Sequence, residues 1–217
     1  MGVPGIPAGI IKEFQWVGRE LTARGLLTLH AGNLSVRRDD HVFITRTGSI
    51  LGLLESEDVL KTPLSPKKPR HPRASMELPA HLAIYAATDV GAIVHAHPPS
   101  AIALSFVTDC IVPVDSEGAI LLREVPVIHA KQAVASAEMA RKAAALLRDH
   151  RVVLAAAHGS FAVGRTLEEA LSVTTTLEMS AKILLMVRAL GGPVGRKGSE
   201  ARLRGGVSNS RARMIRT

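Results

Sequence analysis

Residues 31–36 and 41–45 are two strand-like runs with only the polar turn 37–40 between them. A gap that short admits an antiparallel pair, because a parallel connection needs a crossover of a dozen residues or more. Apolar runs at 90–97, 110–114, 124–128, 151–157 and 160–164 also read as strands, the last two joined by a tight turn at His158 and Gly159. Helical periodicity covers 10–24, closed by Gly25 as a left-handed cap, then 76–87, 100–106 and the Ala-rich 133–149. A last helix is expected to follow the capping-box spacing of 166–169 and run to about Leu190. Residues 63–73 hold four prolines and read as a surface loop. Strands alternate with helices, yet several are joined by short polar turns. The chain is therefore predicted to be α/β with a mixed, largely antiparallel sheet flanked by helices, not a doubly wound parallel one.

A chain of 217 residues that is 47% apolar can bury one substantial core, filled by aliphatic side chains because aromatics are only 3%. Residues 1–190 are expected to form that single domain. The formal charge of +8 sits mostly beyond it: residues 191–217 hold seven basic residues and one acid, leaving +2 for residues 1–190. A Gly/Ser/Arg-rich terminal segment of this kind is expected to stay solvated and flexible, which argues against a dedicated nucleic-acid role. With Cys110 as the only cysteine, no intrachain disulfide can form. The N-terminal residues lack a basic stretch followed by a long apolar one, and no window reaches 18 uninterrupted apolar residues. Neither a signal peptide nor a membrane span is expected, and the cytoplasm is the expected compartment.

His95 and His97 flank Ala96 at the end of a predicted strand, just before Pro98 and Pro99. Alternate side chains of a strand share one face, with Cα atoms roughly 6–7 Å apart. Two imidazoles so placed can converge on a metal ion, or they can be a hydrogen-bonded pair at a sheet edge. His158 ends another short apolar run, and Gly159 lets the backbone turn sharply beside it. Histidines at two strand ends match an open catalytic zinc site with a fourth position left for substrate or water. Glu77 and His81 lie at i and i+4 on one helical face. They are either a solvated pair or a carboxylate beside the metal, able to ligate it or exchange protons. Other HxH sites fit less well: residues 98–101 lack the Glu of a cupin site and the Asp-His pair of a metallo-β-lactamase, and the chain is short for the TIM barrel of an amidohydrolase.

Four blocks in order resemble the class II aldolase/adducin head-domain family, and within it the L-fuculose-phosphate aldolase-like proteins. They are residues 32–37, residues 44–48, residues 75–77 with His81 and Tyr85 running on to 94–98, and His158-Gly159 with Gly164 and Glu178. Together they span about residues 10–190. The resemblance implies a three-layer α/β/α fold and a cyclic homotetramer with one Zn2+ per subunit. It implies retro-aldol cleavage of a phosphorylated ketose to dihydroxyacetone phosphate and an aldehyde. It places zinc on His95, His97 and His158, makes Glu77 the fourth ligand and acid/base, and matches Gly32, Asn33, Thr47, Gly48 and Ser75 to phosphate-binding positions. Small residues, turn amides and hydroxyls suit that last task.

This chain departs from relatives in places. Arg46 and Thr47 stand where Pro-Ser is common, and Ser75-Met76 replaces a pair of serines. Relatives also use tyrosines near the active site, whereas the only tyrosine here is Tyr85, inside a predicted helix. Asp115 and Glu117 fall in a region that faces the site in relatives. Two alternatives accompany the aldolase reading: a ribulose-phosphate 4-epimerase on the same scaffold, and a metal-free adducin-like binding module, which the three histidines disfavour.

Overall fold

The computed structural model describes residues 5–65 and 67–192. The basic segment expected to form a flexible tail lies outside the described residues from position 193 onward.

The chain opens with helix α1, Ala8–Ala23, which buries Ile10, Ile11, Phe14, Val17 and Leu21 at helical spacing. It ends as expected at Gly25 (φ 67°), whose N–H donates to the Thr22 carbonyl while the Leu26 N–H reaches back to Leu21. Then come β1 (Asn33–Arg38), β2 (His41–Thr45), two 3-10 turns (Leu51–Leu53 and Ser56–Asp58) and β3 (Val59–Pro63). Helix α2 (Leu78–Ala87) leads to β4 (Ala92–Ala96), α3 (Pro99–Leu104), β5 (Cys110–Ile111), α4 (Ser116–Leu121) and β6 (Val125–Ile128). The order closes with α5 (Ala137–Leu146), β7 (Val152–Ala155), β8 (Gly159–Gly164) and α6 (Leu167–Ala189).

The eight strands form one sheet in the order β3-β2-β1-β4-β8-β7-β6-β5. Only β6 and β7 pair in parallel; every other neighbouring pair is antiparallel. The predicted mixed, largely antiparallel sheet is the one observed. Its central strands have both faces buried, so the period-2 alternation sorts side chains between two covers. Leu34 and Val36 of β1 and Ala92, Val94 and Ala96 of β4 pack with α1 and the start of α6. Ile93 of β4 and Phe161 and Val163 of β8 pack under α2 and α5. A third apolar cluster joins α3, β5, β6 and β7 to the rest of α6. Among the described residues α6 is the one helix long and apolar enough to cross a membrane, and its inner face is buried against β8, β4 and α3.

Two elements were not expected. β3 is an edge strand with Lys61 exposed and Pro63 at its end, features that blunt an edge and also hide the alternation. Helix α4, at six residues, is too short for periodicity to show; it stands where the run 110–114 would have continued, and that strand stops at Ile111. Helix α5 begins at Ala137, not at 133, because the Ser136 hydroxyl caps it by accepting the Met139 N–H. Residues 129–136 are instead a loop.

Candidate active site

Three histidines converge at one end of the sheet, and each is held by a different device. His95 lies within β4 opposite Phe161 of β8. The two rings stack, with centroids 4.3 Å apart and 25° between planes. The His95 Nδ1 is 3.0 Å from the Ser160 carbonyl, which can only accept, so Nδ1 carries the proton and Nε2 keeps its lone pair. His97 follows directly on β4, its N–H bound to the Leu26 carbonyl. Beyond it Pro98 and Pro99 open α3, whose first free amides, on Ser100 and Ala101, donate to the Glu178 carboxylate of α6. His158 sits in the turn between β7 and β8, next to Ala157 in the left-handed region at φ 56°. Gly159 cannot carry a side chain: a Cβ there would lie 2.5 Å from the Ala96 carbonyl oxygen and 2.8 Å from Cδ2 of His97.

The ligand nitrogens of His95, His97 and His158 all lie within 4.8 Å of one another. Nε2 of His95 and Nε2 of His97 are 3.1 Å apart. Burial, with His97 and His158 nearby, holds the His95 pKa well below its ordinary value. Burial and then His158 lower His97 to about 4. Burial also lowers His158, with the Ala133 backbone opposing. All three are neutral at pH 7, the state in which imidazole binds a metal.

Glu77, just before α2, is buried. One carboxylate oxygen, Oε1, accepts the Ala135 N–H at 2.8 Å; the other, Oε2, is buried without a partner. Burial raises its pKa and the Ala135 amide pulls the other way. Glu77 is not part of the set whose ligand atoms lie within 4.8 Å of one another. Its holder is a backbone amide in the 129–136 loop, at a residue with φ 51°. A left-handed alanine costs about 1 kcal/mol or more, so the loop is held in place by what it packs on.

Of the residues matched to phosphate binding, Gly32 and Asn33 adjoin His95. Asn33 is the register partner of His95, and Gly32 is packed so closely that a Cβ would meet the His95 carbonyl oxygen at 2.8 Å. The strand β2 runs on to Thr47 and Gly48, and Thr47 is tied to the segment before α2 by its N–H to the Arg73 carbonyl and its hydroxyl to the Ala74 carbonyl. The Thr47 hydroxyl proton is thus already engaged. Ser75 is buried, bonds the Thr45 carbonyl through its amide, and accepts the Glu77 N–H on its hydroxyl oxygen, which leaves the hydroxyl proton available. His81, fully buried, has its pKa lowered to about 3 by burial. One carboxylate oxygen of Asp115, Oδ2, caps α4 by accepting the Gly118 N–H at 2.8 Å, and the other, Oδ1, is buried without a partner.

The donor set fits a metal ion. Neutral nitrogens converge, the Nδ1–H of His95 is oriented by a carbonyl, and a buried carboxylate oxygen, Glu77 Oε2, has no protein partner. The backbone contributions of Ala135, Ser160 and Ala133 carry no residue-type signature, so sequence reasoning passed over them. Glu178 stood in a matched block without a role.

Residues 12–185 match the family described as Class II Aldolase and Adducin N-terminal domain. L-fuculose phosphate aldolase of Methanocaldococcus jannaschii is 31% identical over 176 residues, covering 81% of this chain and 95% of that protein. The 3-oxo-tetronate 4-phosphate decarboxylase of Pectobacterium atrosepticum is 32% identical over 186 residues, covering 81% and 83%. The crystal structure of L-fuculose-1-phosphate aldolase from Thermus thermophilus superposes with a TM-score of 0.83 at 41% identity, covering 87% of this chain and all of that one. The fold agrees with these matches, which cover most of the chain: it belongs to the class II aldolase and adducin N-terminal domain family.

Proposed function

We propose that the chain is a zinc-dependent aldehyde-lyase, working as a cytoplasmic homotetramer, that cleaves a ketose 1-phosphate to dihydroxyacetone phosphate and an aldehyde. The observation that carries this reading is the convergence of three neutral imidazoles, with Asn33 the register partner of one of them, His95. Two nitrogens at ordinary zinc–nitrogen distances in a tetrahedral site lie about 3.3 Å apart, which suits the 3.1 Å between His95 and His97. His95, His97 and His158 would hold the ion. When bound, it supplies a Lewis acid to the carbonyl and hydroxyl oxygens of the ketose.

The remaining work falls to the chain's own groups. The Gly32 and Gly48 turns, Asn33 and the Ser75 hydroxyl hold the phosphate end. Thr47 contributes by pinning the 73–75 segment to the end of β2. C–C cleavage releases the proton of the hydroxyl that becomes the aldehyde and leaves an electron pair on the other carbon, so a carboxylate that takes up that proton can deliver it to the carbon before dihydroxyacetone phosphate departs. We assign that proton to Glu77 Oε2, buried and unpartnered, with the Ala135 amide holding Oε1. Exposed Phe106, Val107 and Ile120 offer apolar surface for neighbouring copies to cover.

The test is coupled detection of dihydroxyacetone phosphate from a panel of pentulose and hexulose 1-phosphates with added zinc. Release from at least one, abolished by chelation, is expected. No release from any, with carbon dioxide freed from 3-oxotetronate 4-phosphate instead, would move the reaction to decarboxylation.

A further inference from the structure

A side-chain amide can offer an anion either its donor or its acceptor, and only the donor helps. Asn33 therefore needs its orientation fixed, and the core holds a device that does so. Oδ1 of Asn33 lies 2.6 Å from Nε2 of His81. Nδ1 of His81 lies 2.6 Å from Oγ of Ser35, which lies 2.8 Å from the Tyr85 hydroxyl. All four residues are buried. Asn33 and Ser35 alternate along β1 with Leu34 and Val36, so they face α2, which carries His81 and Tyr85.

The polarity of this chain follows from its far end. The Tyr85 hydroxyl has Ser35 as its hydrogen-bond partner and must donate to it, since a buried O–H without an acceptor is costly. Ser35 accepts there and directs its own proton to Nδ1 of His81. A neutral imidazole that accepts at Nδ1 carries its proton at Nε2, and so donates to Oδ1 of Asn33. The reverse polarity would leave the phenol proton unpaired in the core. The Asn33 amide is thereby turned with Nδ2 free to donate, at the strand end where its register partner is His95.

We propose that His81 is a positioning residue for anion binding, fixing the Asn33 amide as a donor through a one-way chain from Tyr85 and Ser35. This rests on the reading of Asn33 as a phosphate contact. Apolar side chains of the same shape would fill this core at similar stability, so the orientation of the amide is what the chain distinctively provides.

The test uses the zinc-loaded full chain, with inorganic phosphate titrated calorimetrically and steady-state kinetics measured on the ketose phosphate that the enzyme cleaves. His81→Phe fills the ring space but frees Asn33. It is expected to weaken phosphate about tenfold or more and to raise KM in step, with a smaller change in kcat and normal zinc content. His81→Gln, whose amide can both donate to Asn33 and accept from Ser35, is expected to recover most of the affinity. Should His81→Phe fail to fold, the Ser35→Ala/Tyr85→Phe pair cuts the chain above His81 and is expected to weaken phosphate in the same direction. Wild-type affinity in His81→Phe or in that double variant, or a folded His81→Gln no better than His81→Phe, overturns the proposal. Asn33→Asp keeps an acceptor for His81 and presents a carboxylate oxygen to the anion. If it binds phosphate as tightly as wild type, or if wild type binds none, the phosphate role of Asn33 falls and the proposal with it. If Asn33→Asp is weakened and His81→Phe is not, only the role of His81 falls.

Discussion

On the side of the sheet covered by α1 and the start of α6, β1 contributes Leu34 and Val36 and β4 contributes Ala92, Val94 and Ala96, all buried among apolar neighbours. On the side covered by α2 and α5, the same two strands contribute Asn33, Ser35 and His95, also buried. One residue of register separates the two sets. The first face gains free energy from every side chain it buries, about 25 cal/mol per Å² of apolar area. The second buries polar groups that are tolerable only with partners, and it supplies them through the His81 chain, the Ser160 carbonyl and the Ala135 amide. Both faces bury apolar side chains, but the polar site groups of β1 and β4 lie on one of them only, so substitutions at those groups and in the core under α1 should fail in different ways.

The largest expected effect lies on the polar face. Glu77→Gln keeps the acceptor for the Ala135 N–H and removes a charge that burial disfavours. Turnover is expected to fall about 10²–10⁴-fold, while the metal-free variant melts no lower than wild type. Near-normal kcat would move the proton-transfer role elsewhere. On the apolar face, Phe14→Ala removes a wholly buried ring and is expected to cost about 3–5 kcal/mol in denaturant unfolding, with kcat of the folded, metal-loaded enzyme unchanged. A fall in kcat without loss of stability would show that the faces are not independent.

Smaller, and confined again to the polar face, is a pH dependence of the metal-free protein. Burial holds the folded-state pKa values of His81, His95, His97 and His158 below that of an exposed histidine. Between pH 6.5 and about 4, where His97 titrates, the unfolded chain binds more protons than the folded one. Stability is then complete above pH 6.5 and declines as pH falls through that window. Phe14→Ala is expected to lower the whole curve without changing its slope there. Denaturant midpoints that stay flat from pH 7 to 4.5 would contradict neutral, buried rings.

Much of this arrangement is legible in the sequence because it rests on period and spacing. The i, i+2 placement of His95 and His97, the Gly159 beside His158, and the polar turn between β1 and β2 each have one structural consequence. The expected phosphate-binding positions came through resemblance, and the i, i+4 spacing of Glu77 and His81 left open whether they are a solvated pair or site groups. What stayed hidden is what has no residue-type signature. The amide of Ala135 and the carbonyl of Ser160 belong to backbone that any residue carries. The loop at 129–136 was obscured by its alanines, which suit a helix until Ser136 caps one. Asp115, grouped by resemblance with site-facing residues, also caps α4 through one carboxylate oxygen, a local role that its place three residues before a free amide makes readable.

The central claim, that the polar face is built to hold zinc on His95, His97 and His158, is tested most directly by metal analysis of purified protein. The account predicts about one zinc per chain in the wild type and almost none in a folded His95→Ala/His97→Ala double variant. Full zinc occupancy in that double variant would contradict it.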